Sequence, residues 1–394
     1  MKNAAVHFRP LTFPPVTFRA FNRTWSTYQA LNALGLLLGT TIGLLLVRYR
    51  GLSVLIALAV SLAGVASIFG LAWISKLLTG EEYLLNNYHA QAVFLALSAA
   101  LLWLWRQPAP AYLDLAAIGI AVMIGCGRIG CLAAGCCHGR PSRLGARYGV
   151  CYGPEHVAEG MEPYLAGVRL FPVQALGSAG GWLIAAVGVL LVLGGSPPGT
   201  VFGWHVTAYG VGRFGLEFLR GDAGRRYWKG FSEAQWTALV TIGLLVGAEA
   251  LGWLPLYAWH WVVGAGLALA MIAVSVWRRR QGDLPALRQA DHLHEVARGL
   301  YLLDQNSAGA DAVRVFTTSL GIQLSAGEIA QDGGPPLRHY TLSRRDTPLT
   351  ESSAATLGDL IARFRHPDAI PQIVRGQQDG VFHVLFPATE FPLQ

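Results

Sequence analysis

The stretch GCGRIGCLAAGCCHG, residues 125–139, constrains this chain more than any other. It follows an apolar run from Ala111 to Ile124 and carries an arginine and four cysteines into it. An arginine at bilayer depth costs about 3 kcal/mol or more unless it faces a polar cavity or a partner, so Arg128 marks a functional site. Gly125, Gly127, Gly130 and Gly135 remove side chains around it and let another backbone or a ligand head group come close. The competing reading is an arginine snorkelling at a helix end, with the glycines serving helix packing alone.

Composition settles the class. Hydrophobic residues make up 53% of the chain and charged residues only 13%, with a mean hydropathy of +0.40. A soluble domain carries roughly 25% charge, so the chain is read as an integral membrane protein. The net charge is +7 and almost all of the basic residues are arginine, with lysine only at Lys2, Lys76 and Lys229. Arginine suits bidentate phosphate binding, although a GC-rich genome produces the same bias. Cys126, Cys131, Cys136, Cys137 and Cys151 crowd one region, which points to a local site and not to a disulfide framework.

Residues 1–27 hold no apolar run followed by a small-residue cleavage site, so a juxtamembrane segment without a cleavable signal is expected. Eight spans follow from the apolar runs: Tyr28 to Val47, Leu52 to Leu78, His89 to Trp105, Tyr112 to Ala134, Val173 to Leu193, Val201 to Leu219, Trp236 to Leu254 and Leu256 to Trp277. The expected fold is an α-helical polytopic membrane protein of seven to eight transmembrane helices, residues 28–277, with a small α+β soluble domain at 283–394. The polar stretch 139–170 reads as a recognition or gating loop. After Arg278, Arg279 and Arg280 the composition changes, and residues 283–394 hold about half of the acidic residues and no lysine. Periodicity there predicts helices near 286–303 and 350–364 and strands near 312–324, 338–342 and 380–386. His292 and His294 are too close in sequence to share a helix face and are expected to be solvated. Cutting the chain after Arg280 is expected to leave a folded core.

A second stretch, YGVGRFGLEFLRGD at 209–222, places Tyr209, Arg213, Glu217 and Arg220 at i+4, i+4 and i+3 on one helical face. An Arg–Glu pair one turn apart neutralises itself. Arg128 is left over, and a phosphate on a lipid head group satisfies it.

The order and spacing of these residues resemble the prolipoprotein diacylglyceryl transferases. The resemblance covers roughly residues 20–250 and rests on Tyr28, His89, Asp114, the GRIG turn at 127–130, Pro172 with Gln174, and Tyr209, Arg213 and Glu217. It implies transfer of a diacylglyceryl group from phosphatidylglycerol to the thiol of a cysteine-containing acceptor, in the bacterial inner membrane. By resemblance Arg128 and Arg213 hold the phosphate and His89 assists thiol deprotonation. Tyr28, Tyr209 and Glu217 shape the pocket, with Gly130, Cys131 and Arg220 beside the substrate. Three positions depart from the family pattern: Cys131 stands for its asparagine, Cys136 for its glutamate and Phe171 for its histidine. The match is therefore to a divergent, cysteine-rich branch in which the acceptor need not be a prolipoprotein.

Two other classes stay open. Cys131, Cys136 or Cys137, His138 and Cys151 form one candidate metal set, but adjacent cysteines rarely ligate one ion and no C-x-x-C pair exists, so no metal is expected. The other is a non-catalytic phospholipid-binding protein. No cofactor and no nucleic-acid partner are expected. Charge counting over eight spans puts the arginine-rich 139–170 loop in the cytoplasm, whereas the resemblance implies an outward-facing site.

Overall fold

The structure is a computed structural model that describes residues 14–79, 87–148, 154–158, 160–305, 313–331 and 334–387. A hairpin opens it, β1 (Thr17–Ala20) paired with β2 (Arg23–Ser26). Phe21 and Asn22 both take positive φ at its two-residue turn. The segment ahead of the first span is therefore partly strand, where the sequence offers no alternation long enough to announce one.

A helix stands at each of the eight apolar stretches: α1 (Thr27–Tyr49), α2 (Val54–Thr79), α3 (Asn87–Leu104) and α4 (Ala109–Ala134), then four more after the 139–170 region. The intervening region holds β3 (Pro141–Arg147), the short α5 (Pro154–Ala158) and β4 (Arg169–Leu170), which pairs with β3. The later helices are α6 (Val173–Leu193), α7 (Thr200–Glu217), α8 (Glu233–Ala250) and α9 (Ala258–Arg280). The two-residue strands β5 (Tyr227–Trp228) and β6 (Phe231–Ser232) precede α8. A capping box starts α8: the Gln235 amide donates to Ser232 Oγ and the Ser232 amide to Gln235 Oε1. Among the described residues four helices, α1, α4, α6 and α9, are long and apolar enough to cross a membrane.

Of these four, α4 is the most enclosed, and α1, α6 and α7 surround it. Small residues permit that enclosure. A Cβ at Gly39 of α1 would lie 2.6 Å from the Gly119 carbonyl oxygen of α4, and one at Gly181 of α6 would lie 2.8 Å from the Gly125 nitrogen. Lipid tails are as apolar as leucine, so close backbone approach, and not water exclusion, holds such helices together.

The C-terminal segment adds α10 (Leu284–Leu287), α11 (Ala290–Gln305), β7 (Phe316–Thr317), β8 (Ile322–Gln331), β9 (Gly334–Arg344), α12 (Glu351–Arg365), β10 (Gln372–Arg375) and β11 (Phe382–Pro387). Its strands form one antiparallel sheet in the order β10-β11-β9-β8-β7. Period-two residues Ile322 and Leu324, Tyr340 and Leu342, and Phe382, Val384 and Phe386 face the apolar stripes of α11 and α12. That core does not stop at the segment boundary. It takes in Tyr148, Met161, Leu165, Val168 and Leu170 of the 139–170 region. Polar contacts follow the same seam: Arg169 pairs with Asp368 at 3.1 Å, Arg363 donates to the Pro141 carbonyl, and the Gly224 amide donates to Asp291. His292 and His294 are buried, not solvated. They stay buried because both find partners. His294 Nε2 donates to the Gly221 carbonyl at 2.7 Å while its Nδ1 accepts from the Tyr164 hydroxyl at 2.8 Å. His292 bonds the Leu287 carbonyl and Thr318.

Two predictions follow from this packing. Gly39→Ala forces α1 from α4 and is expected to cost about 1–3 kcal/mol, the usual range for overpacking. Gly43→Ala, whose new Cβ has nothing nearer than 3.9 Å, is expected to be neutral. Thermal unfolding in detergent compares them, and equal losses would remove the argument. The shared core also revises the expectation for truncation after Arg280. Removing the segment uncovers Met161, Leu165, Val168 and Leu170, so limited proteolysis is expected to cut the 139–170 region of the shortened chain and spare it in the full chain.

Candidate active site

Arg128 sits about two turns before α4 closes at Gly135, whose φ of 73° gives the helix a left-handed cap. It faces a cavity of about 480 Å³ bounded by α4, α6 and α7. Most of the wall is apolar or glycine, including Ile124, Leu176, Gly177, Gly181, Ile184 and Trp204. Arg128, Tyr209, Arg213 and Arg220 bring the charge and the hydroxyl. Gly177 makes room for the arginine, since a Cβ there would rest 3.4 Å from the Arg128 side chain.

Asp114, near the start of α4, sets the position of α7. Its carboxylate accepts from the Gly199 amide at 2.8 Å and the Phe202 amide at 2.7 Å, so it caps the first turn of α7 from outside the helix. Asp114 is thus a structural residue. Asp114→Ala leaves two amides buried without an acceptor and is expected to lower stability in detergent by about 1–3 kcal/mol. Asp114→Asn, which keeps one acceptor oxygen, is expected to lose less, and thermal melts of the two variants check that order.

The sequence-predicted face is only partly a helical face. Tyr209, Arg213 and Glu217 lie on α7, and Arg213 pairs with Glu217 at 2.8 Å. Arg220 lies beyond the helix, which ends at Glu217, and its backbone bridges Gly139 across the 139–170 region. It reaches the cavity from a turn, and Asp222 grips it with two 2.8 Å hydrogen bonds. Burial acts to raise the Asp222 carboxyl, but Arg220 and then Arg225 more than offset it, so Asp222 is held below its ordinary range. Glu217 is shared, because Arg225 also donates to it at 3.0 Å. Arg140 donates to the Arg220 carbonyl. Five guanidinium groups, those of Arg128, Arg140, Arg213, Arg220 and Arg225, therefore gather around two carboxylates. Arg128 has no carboxylate within ion-pair reach among the described residues.

Other expected residues fall elsewhere. Tyr28 is exposed on the α1 side, with its backbone against Gly130, and neither it nor Gly130 nor Cys131 lines this cavity. His89 belongs to the first turn of α3, and its side chain lies outside the described residues. A second apolar cavity, of about 370 Å³, opens on the far side of α4 between α1, α2 and α3 and is reached by Asn32 and Gln91. Gln174 donates to the Cys136 carbonyl and is in contact with the Tyr148 hydroxyl, tying the end of α4 to the start of α6. Phe171 joins through its backbone alone, accepting from the Gly139 amide and donating to the Arg140 carbonyl.

Cys131, Cys136 and Cys137 converge, with all three sulfurs within 4.8 Å of one another. Sequence spacing argues against such a meeting. The left-handed turn at Gly135, followed by Cys137 at a φ of 52°, folds the chain back over the last turn of α4. Contact with Cys131 and Cys136, then the charges of Arg220 and Arg128, hold the Cys137 thiol below its usual range, and the same contacts push Cys136 up. His138 is turned away, with Nδ1 at its neighbour's carbonyl, and Cys151 lies outside the described residues. Sequence reasoning does not reach Asp222 and Arg225. They sit in a polar loop, where alternating charge reads as a solvated face.

The family described as prolipoprotein diacylglyceryl transferase matches residues 15–251 of this chain. The phosphatidylglycerol–prolipoprotein diacylglyceryl transferase of Clostridium tetani is 36% identical over 131 residues, which is 33% of this chain and 49% of that protein. Transferase 2 of the same description in Clostridium perfringens is 35% identical over 112 residues, 28% of this chain and 40% of that protein. The aligned part thus spans about half the length of these relatives or less. On the match over residues 15–251, the chain belongs to the prolipoprotein diacylglyceryl transferase family.

Proposed function

We propose that this protein is a membrane-embedded transferase that moves a diacylglyceryl group from phosphatidylglycerol to a thiol, releasing glycerol phosphate. One observation carries the reading: Arg128, without a carboxylate partner among the described residues, faces an apolar cavity beside Arg213, Arg220 and Tyr209. A lipid that enters this space brings acyl chains to the glycine and leucine walls and a phosphate to the arginines. Displacing a phosphate ester from a glyceryl carbon requires a thiolate and stabilisation of the charge that develops on the departing phosphate. Bidentate guanidinium forks supply the second requirement. In this reading Arg128 and Arg213 are catalytic, with Arg220 and Tyr209 against the substrate, and Glu217 holds Arg213 in place. His89 serves the incoming thiol, while Tyr28, Gly130 and Cys131 lie on its approach.

The wider reading has seven to eight helices crossing the bacterial inner membrane, a short N-terminal segment at 1–27, the transferase body at 28–277 and a C-terminal unit at 283–394. The relatives' names supply phosphatidylglycerol as donor and a prolipoprotein as acceptor. The cysteines at 131 and 136 favour an acceptor of broader kind, a thiol on a protein or on another molecule.

Arg128→Lys and Arg213→Lys keep the charge and lose the fork. Each is expected to lower kcat/KM by roughly 10²–10³, the cost of removing one oxyanion-stabilising donor. The assay follows glycerol phosphate release from phosphatidylglycerol vesicles by the full chain with a cysteine peptide, with unfolding temperature measured alongside. Near-normal turnover in either variant would sink the phosphate clamp.

A further inference from the structure

We propose that Cys131, Cys136 and Cys137 form a three-thiolate site for one zinc-class cation, with an open fourth position that receives the acceptor thiol; this rests on the transferase reading. Three sulfurs within 4.8 Å of one another are already close to a ligand set. Tetrahedral Zn–S bonds of about 2.3 Å place sulfurs about 3.8 Å apart, so the three sulfurs need to draw together by no more than about 1 Å to hold one ion. The backbone is shaped to this end. Cys137 keeps a φ of 52°, a conformation costing a non-glycine residue about 1–2 kcal/mol, and that turn returns its sulfur to Cys131.

The donor set selects the ion. No carboxylate or histidine atom joins the group among the described residues, which disfavours hard cations such as magnesium and calcium. Three protein ligands and one vacancy are the pattern of zinc sites that do chemistry, whereas structural zinc sites close with four. Three thiolates on a divalent cation carry a net charge of −1, and a fourth thiolate makes it −2. Arg128 and Arg220, both within electrostatic reach of Cys137, offset that charge. The cysteines that depart from the family pattern at 131 and 136 are two of the three ligands, so the departures replace one way of activating a thiol with another.

The step balances. The acceptor R–SH binds at the vacancy and its proton goes to water. The sulfur electron pair then attacks the glyceryl carbon that is esterified to phosphate. The C–S bond forms as the C–O bond breaks, and that bond's electron pair leaves on the phosphate oxygen, which Arg128 and Arg213 receive. The thioether product is neutral, a poor ligand, and departs.

Metal content and cobalt spectra of the full-length protein in detergent test the site without turnover. We expect about one zinc per chain, lost in Cys131→Ser, Cys136→Ser and Cys137→Ser and kept in Cys126→Ser, whose sulfur lies outside the cluster. Cobalt-loaded protein is expected to show sulfur-to-cobalt charge transfer and tetrahedral bands that shift when a cysteine peptide is added, and not when its serine analogue is. Phosphatidylglycerol binding retained by Cys136→Ser and Cys137→Ser excludes misfolding as the cause of metal loss. Metal content that ignores the three substitutions, or a disulfide among the three cysteines found after alkylation of zinc-grown protein, overturns the proposal, as does a cobalt spectrum blind to the peptide. Transfer from labelled phosphatidylglycerol is read separately, so a loaded site without turnover refutes the transferase reading, and turnover without metal refutes the site.

Discussion

An excess of guanidinium over carboxylate beside an apolar cavity is the condition on which this molecule is built. Gathering like charges in a low dielectric is expensive, and the fold meets the cost unevenly. Arg213 and Arg225 share Glu217, and Arg220 is held by Asp222. Arg128 receives no such partner among the described residues. A charge left in this way is an energetic demand on whatever enters, and it is met best by an anion with two oxygens to offer. Glycines at 125, 177 and 181 serve the same condition, because α4, α6 and the Arg128 stem approach more closely than side chains would allow.

The legible part of this arrangement is the part with a local period. Arg213 and Glu217 are one turn apart, so their pairing follows from spacing alone, and Arg128 stands out because nothing around it in sequence is charged. Arg220 continues the same spacing, yet the helix stops at Glu217 and the residue reaches the cavity through a strand-like contact with Gly139. Periodicity has no means of announcing its own end here, since no glycine or proline follows until Gly221. Asp222, Arg225 and the meeting of three cysteines are set by turns whose conformations depend on tertiary packing. Spacing misses the burial of His292 and His294 for a related reason: a helix that is covered on more than one side buries residues two apart, and the partners at Gly221, Tyr164 and Leu287 make that tolerable.

The C-terminal segment looks detachable by composition and is joined by packing. One apolar core runs from α11 and α12 into the 139–170 region, whose backbone also pairs with Arg220. His294 binds the carbonyl of Gly221, one residue from both Arg220 and Asp222. A composition boundary marks a change of solvent along the chain, and it says nothing about which surfaces meet after folding.

Asp114 gives the site a measure of length. It lies fourteen residues before Arg128 on α4, and the Gly199 amide that it binds lies fourteen residues before Arg213 on α7. Both intervals correspond to about 21 Å of helix. The two helices start from one common pin and run side by side for equal distances, which brings the two arginines to the same depth. The carboxylate thus works as the zero mark of a pair of rulers. Inserting or deleting a single residue in either helix would displace one arginine by about 1.5 Å and swing it through about 100° relative to the other. The chain can vary in its loops and tail, but between these marks its length is fixed.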